Sequence, residues 1–314
     1  MHKHLKIACI LLLITLPFLF LGIKKNNILF ASLSKGSYFF EKTRNSPNVT
    51  KISMQFPNSS VVTLEKRNDL WHIKEIDDYF ASLPKIKSLI NILRSTIVYR
   101  VDKINNDEQL LRDDNSIKIE TYDSNTKLVD SARVALKNDN NKNHYATLNN
   151  DNMLYQISGD FHFFDNPMEW AHSPIVVINE NTIKSIETDN FEVYRNFDGE
   201  KFYQNDDTSS SFSISPFISH FKYLTATNIK HSINFDYNNI KKIKYFKISL
   251  FNGGIYNIYM YSDGKDFWLN IRPDREELAK KDVVTWLKEN SILYDGWFFK
   301  IDQRIGLVIS NFSI

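Results

Sequence analysis

A single cysteine, Cys9, in 314 residues leaves no internal disulfide to form, so the fold has to be held by its cores alone. Glycine is scarce, at nine residues, and none stands in a phosphate-cradling or dinucleotide-binding pattern. The Gly253-Gly254 pair reads as a hairpin turn. No Gly-x-Ser-x-Gly elbow occurs, which removes the strand-turn-helix setting of a serine nucleophile. Charge of one sign is lacking too: 39 Lys and Arg against 37 Asp and Glu leave a net charge of +2. So weak a field gives no electrostatic footprint for nucleic acid. Carboxylate pairs exist, but Asp77-Asp78 and Asp113-Asp114 lie in loop sequence with no apolar setting to shift a pKa. These absences together predict a protein that is not an enzyme and carries no cofactor.

Long hydrophobic runs are missing after the N-terminus. The one run extends from Ile7 to Ile23 without a charge, between Lys6 and Lys24-Lys25. At about 1.5 Å per residue it rises roughly 25 Å, at the short end for a bilayer span. The sequence thus predicts an uncleaved membrane anchor over residues 1–24 and a spacer over 25–46. The bulk of the chain is then expected to be periplasmic, tethered to a bacterial inner membrane by one helix.

What is abundant is strand pattern, and it repeats. Val61–Arg67 followed by Leu70-Trp71 is answered by Phe191–Tyr194 followed by Lys201-Phe202-Tyr203. The offsets agree: 130 from Asp69 to Gly199, 132 from Pro84 to Pro216 and 129 from Lys118 to Lys247. Such self-similarity predicts two tandem α+β units, 47–178 and 179–314, each an antiparallel sheet with a packed helix. In the first, Ile52, Met54 and Phe56 alternate with polar residues as in a half-buried strand. Ser82 and Pro84 then open a helix whose stripe is Ile86, Leu89, Ile90, Leu93 and Ile97. In the second, Pro216 opens a short helix, and Asp274 with Glu277 suggests the start of another that ends near Asn290.

Two clusters have functional readings. His162, Asp165, Glu169 and His172 carry imidazoles and carboxylates that could ligate zinc in a metal-dependent hydrolase if the segment were helical. Pro167 interrupts it, and Phe161, Phe163, Phe164 and Trp170 make it read instead as an aromatic connector. Tyr256, Tyr259, Tyr261 and Trp268 crowd one hairpin, with Tyr259 and Tyr261 on one face and Met260 on the other. Tyrosine and tryptophan favour interfaces, for a protein, a glycan or a lipid, although strands favour aromatics in any case.

Several of these segments resemble one bacterial family. They are Val62–Lys66 with Leu70–Ile73, Met153–Ile157, Trp170–Ile178 running into Ile183–Ile186, and Gly296–Ile301. The family is a domain of unknown function found in membrane-anchored exported proteins encoded beside gliding-motility-type ABC transporter subunits. The resemblance covers residues 47–314 and departs at His172, where relatives carry an acid. It implies a scaffold accessory to an envelope ABC transporter, and it carries no catalytic residues across.

Overall fold

A computed structural model describes residues 33–103, 111, 113–138, 144–148, 151, 153–197, 201–204 and 207–312. The chain is mostly β, with 43% strand and 24% helix, arranged as two antiparallel sheets. The first sheet is built from β1 (Val49–Gln55), β2 (Val61–Arg67), β3 (Leu70–Ile73), β4 (Tyr79–Phe80) and β5 (Val98–Lys103). It is completed by β6 (Ser116–Asp123), β7 (Leu128–Asn138), β8 (His144–Leu148) and β9 (Met153–Ile157). The second sheet begins with β10 (Ile183–Thr188), β11 (Glu192–Tyr194), β12 (Phe202–Gln204), β13 (Asp207–Phe212) and β14 (Asn228–His231). It ends with β15 (Lys241–Leu250), β16 (Gly254–Ser262), β17 (Phe267–Arg275) and β18 (Trp297–Ile301).

The order across the first sheet is β4-β3-β2-β1-β6-β7-β8-β9-β5, and across the second β13-β12-β11-β10-β15-β16-β17-β18-β14. Position for position these are the same path, with the strand after the helix placed at the far edge both times. Register is shared as well. Met54 faces Ile119 and Gln55 faces Lys118 in the first sheet; Ile186 faces Ile248 and Glu187 faces Lys247 in the second. Met54, Ile119, Ile186 and Ile248 are all fully buried, so the matched pairs point their apolar members inward.

The sequence expectation of a membrane anchor is corrected here. The Ile7–Ile23 run lies outside the described residues, and among the described residues no helix is long and apolar enough to cross a membrane. The single-pass span, and the inner-membrane, periplasm-facing location built on it, therefore drop out, and a mostly β chain replaces the α+β description. Residues 33–46 also differ from a free spacer. Phe39 and Phe40 are buried, and Phe39 packs edge-on against Tyr155 at 5.5 Å.

Two compact units result, one running to Ser60 and resuming over Leu89–His162, the other joining Val61–Ser88 to Phe163–Ile314. The first buries Ile52, Met54, Ile117, Ile119, Ala132 and Val134 on neighbouring strands. Each large apolar side chain taken out of water there contributes about 1.5–3 kcal/mol before the entropy of ordering is counted. The helix Leu83–Ser95 buries Ile86, Leu89 and Leu93 of the expected stripe, whereas Ile90 is half-buried and Ile97 falls beyond the helix end and is exposed.

The second unit buries Phe246, Ile248, Ile258, Met260, Leu269 and Phe299. The short helix Ser215–Ile218 drives Phe217 against Phe246, ring centroids 5.1 Å apart. Where Asp274 and Glu277 suggest a helix start, the strand instead continues to Arg275, because Arg275 still pairs with Gly254. The helix that follows is Lys281–Asn290. A last helix, Gln303–Ser310, has no counterpart in the sequence reading. Asp302 caps it by accepting the Arg304 N–H at 2.9 Å, and Lys244 donates to the Ser310 and Phe312 carbonyls at its end.

Candidate functional site

Strands β15, β16 and β17 lie side by side, and their pleat sorts the sequence-predicted aromatics onto two faces. Tyr245, Tyr259 and Asn270 are in register across the three strands, as are Tyr261 and Trp268 across the last two. Ile258, Met260, Leu269 and Ile271 take the opposite face, and all four are completely buried. Tyr259 and Tyr261 therefore share the outer face. Tyr256 does not: it sits with the buried face and meets Trp286 edge-on at 6.2 Å. Burial raises the Tyr256 phenol above its usual range.

Trp268 is on the outer face yet is only 5% exposed. The chain just after β14 folds across that end of the sheet. Phe235 stacks on Phe298 at 3.8 Å and 10°, and meets Trp268 at 5.4 Å. Tyr261 joins the same cluster, 5.4 Å from Phe298, and desolvation there raises its phenol. Aromatic pairs of this kind contribute about 0.5–1.5 kcal/mol each beyond their buried area. Trp268 is thus a core anchor under Phe235.

The uncovered part of the outer face is organised around Tyr245 and Tyr259. Their rings lie 5.0 Å apart at 36°, and both are half-buried. A register shift between Lys242 and Lys244 re-aims Lys242, whose ammonium lies 5.3 Å from each of the two rings. From the next strand the Arg272 guanidinium approaches Tyr259 at 5.1 Å. Polar bonds hold these groups in place. The Tyr245 hydroxyl donates to Asn257 Oδ1 at 2.8 Å, and Arg272 Nε donates to Asn270 Oδ1 at 2.8 Å. Asn270, itself buried, donates to the Trp297 carbonyl at 2.9 Å.

Lys247 and Glu187 close the patch as an ion pair at 3.0 Å, and the hydrogen bond to Glu187 raises the lysine pKa. Desolvation, then the neighbouring Tyr259 and Glu187, raises the Tyr245 phenol. Sequence alternation found Tyr259. It missed Tyr245, Arg272 and Lys242, whose signal was their position on the flanking strands of the same hairpin.

The histidine-carboxylate cluster takes another form. Glu169 lies in the short 3₁₀ turn Pro167–Trp170, which Asn166 caps by accepting the Met168 N–H. His172 lies beyond it, with its N–H donated to the Phe80 carbonyl at 2.9 Å. The His162 ring faces Asp160 at 3.3 Å. Among the described residues no group of three or more His, Cys, Asp or Glu is placed to hold a metal ion. Comparison with family models, curated proteins and solved structures gives no match.

Proposed function

We propose that the chain is a non-catalytic binding module that presents the Tyr245–Tyr259 patch of its second sheet to a partner protein. The observation that carries this reading is the pre-ordered arrangement itself. Two half-buried rings are flanked by Lys242 and Arg272 and held by Asn257 and Asn270. Tyrosine and arginine in fixed conformations lose little entropy on contact and are the residue types that dominate binding energies. The cations favour a partner surface that is acidic, and they would speed its approach at low salt. The family resemblance supports ABC transporter subunits as that partner.

The test is co-purification of the full-length protein with the transporter subunits of its own cell. Recovery of those subunits, reduced about tenfold or more by Tyr259→Ala with Arg272→Ala, is the expected result. Subunits recovered equally well by the double variant would overturn the patch as the contact surface. Recovery of envelope polysaccharide or lipid without any subunit would overturn the scaffold reading.

A further inference from the structure

The two sheets share a strand order but not every connection. Residues 149–152 join β8 to β9, whereas residues 276–296 join the equivalent strands β17 and β18. The longer connection contains the helix Lys281–Asn290, and the hairpin turn between β15 and β16 holds it down. The Lys280 N–H donates to the Asn252 carbonyl at 2.9 Å and the Glu276 N–H to the Gly253 carbonyl at 2.8 Å. Helix and hairpin do not close on each other completely. They leave a cavity of about 340 Å³, within the range of small-molecule sites. A second cavity, of about 360 Å³, is also lined by this connection, through Ser291, Ile292, Tyr294 and Asp295. The longer connection of the second repeat therefore contributes to two concave surfaces.

We propose that the cavity under the helix Lys281–Asn290 is a binding site for a small organic cation, an ammonium group on an apolar body. This goes beyond the Tyr245–Tyr259 patch and does not depend on it. The floor is apolar, from Leu250, Val283 and Leu287, and suits a hydrocarbon or ring. Tyr256 and Trp286 form an aromatic wall, and the faces of such rings attract cations. Asp274 from the end of β17 and Asp282 from the first turn of the helix both line the cavity and are exposed at it. Among the described residues neither carboxylate is ion-paired. No Lys, Arg or His side chain lines the cavity. An anion would meet two carboxylates and no compensating charge. Asp274 Oδ1 accepts the Arg275 N–H at 2.8 Å, but a neutral apolar ligand would leave both carboxylates without a cation. An ammonium ion satisfies the aromatic wall and the acids together.

The experiment uses 2-phenylethylamine as the probe and 2-phenylethanol as its neutral counterpart, with the full chain folded as judged by circular dichroism. Saturable binding of the amine is expected in the millimolar range, the affinity typical of so small a ligand. It should weaken about tenfold for the alcohol and for the Asp274→Asn, Asp282→Asn double variant, and it should fall with added salt. Trp286→Phe should remove the amine-induced change in fluorescence, which places the probe at this wall among the chain's five tryptophans. Nα-acetyl-lysine methylamide separates the sources of the ammonium group. Tighter binding than the free amine would identify a peptide side chain, weaker binding a free amine. Equal binding of amine and alcohol, or no saturation up to about 10 mM with folded protein, would overturn the proposal.

Discussion

The carboxylate of Asp77 accepts the backbone N–H of His231 at 3.0 Å, joining residues 154 positions apart. Asp77 reaches it from a left-handed backbone position, φ 58°, at the end of the turn that leads into β4. The bond sits beside an aromatic cluster in the same unit, where Tyr79 meets Trp297 at 4.9 Å and His231 meets Trp297 at 4.8 Å. Asp77→Ala removes the acceptor and puts alanine in a conformation it disfavours, so it should cost about 1–3 kcal/mol in urea unfolding. Asp77→Asn keeps an acceptor oxygen and tolerates the backbone, and should recover most of that loss. Equal destabilisation by the two would show that the carboxylate bond contributes nothing specific.

Gly253 has φ 87°, and a Cβ there would lie 2.6 Å from Ala279 Cα, so the turn and the connection beyond β17 both need glycine. Gly264 has a similar φ, 92°, but nothing within 4 Å of its would-be Cβ. Gly264→Ala should therefore show only the conformational cost, about 1–2 kcal/mol. Gly253→Ala should exceed it, because backbone must move. Thermal melts of the two variants measure the difference, and a Gly264→Ala loss as large as that of Gly253→Ala would contradict the close approach.

Arg195 is 4% exposed, with Nε donating to the Ile183 carbonyl at 2.8 Å and Nη2 to the Glu180 carbonyl at 2.6 Å. Its guanidinium also lies 4.6 Å from the Phe202 ring. Arg195→Met fills much of the space but leaves those acceptors without the donor, at a cost of about 2–3 kcal/mol. Arg195→Lys keeps the charge and loses the planar fork, so chemical denaturation should place it well below the parent as well. A lysine variant as stable as the parent would mean that charge alone matters.

His172 is half-buried, and desolvation lowers its pKa from the ordinary 6.5. A histidine whose folded pKa is depressed resists a proton that the unfolded chain accepts. Stability from this residue is therefore level above about pH 6.5 and declines as the pH falls through that value, until the lower folded pKa is reached. Urea midpoints measured between about pH 7.5 and 5 should fall with acidification, and His172→Gln should flatten the slope. An unchanged slope in that variant would assign the acid sensitivity to other groups.

The repeat was legible in the sequence because strand register is a two-residue rhythm that turns must keep in phase. Offsets near 130 residues put Lys118 and Lys247 on equivalent strands, beside Gln55 and Glu187. The helix stripe of Ile86, Leu89 and Leu93 was legible for the same local reason. The Asp198-Gly199 turn of the repeat lies outside the described residues.

Alternation could say that Tyr259 and Tyr261 share a face, but not that Trp268 joins them from the next strand, nor which part of that face is covered. Tertiary structure decided it. Phe235, 33 positions before Trp268, closes over the tryptophan and leaves Tyr259 beside Tyr245 and Arg272. The helix Lys281–Asn290 likewise carries its sequence pattern openly, but the cavity beneath it exists only because that helix rests on a hairpin turn formed some thirty residues earlier. Local periodicity is a property of neighbours in the chain, whereas coverage and concavity depend on residues brought together from afar, whose positions no short window of sequence contains.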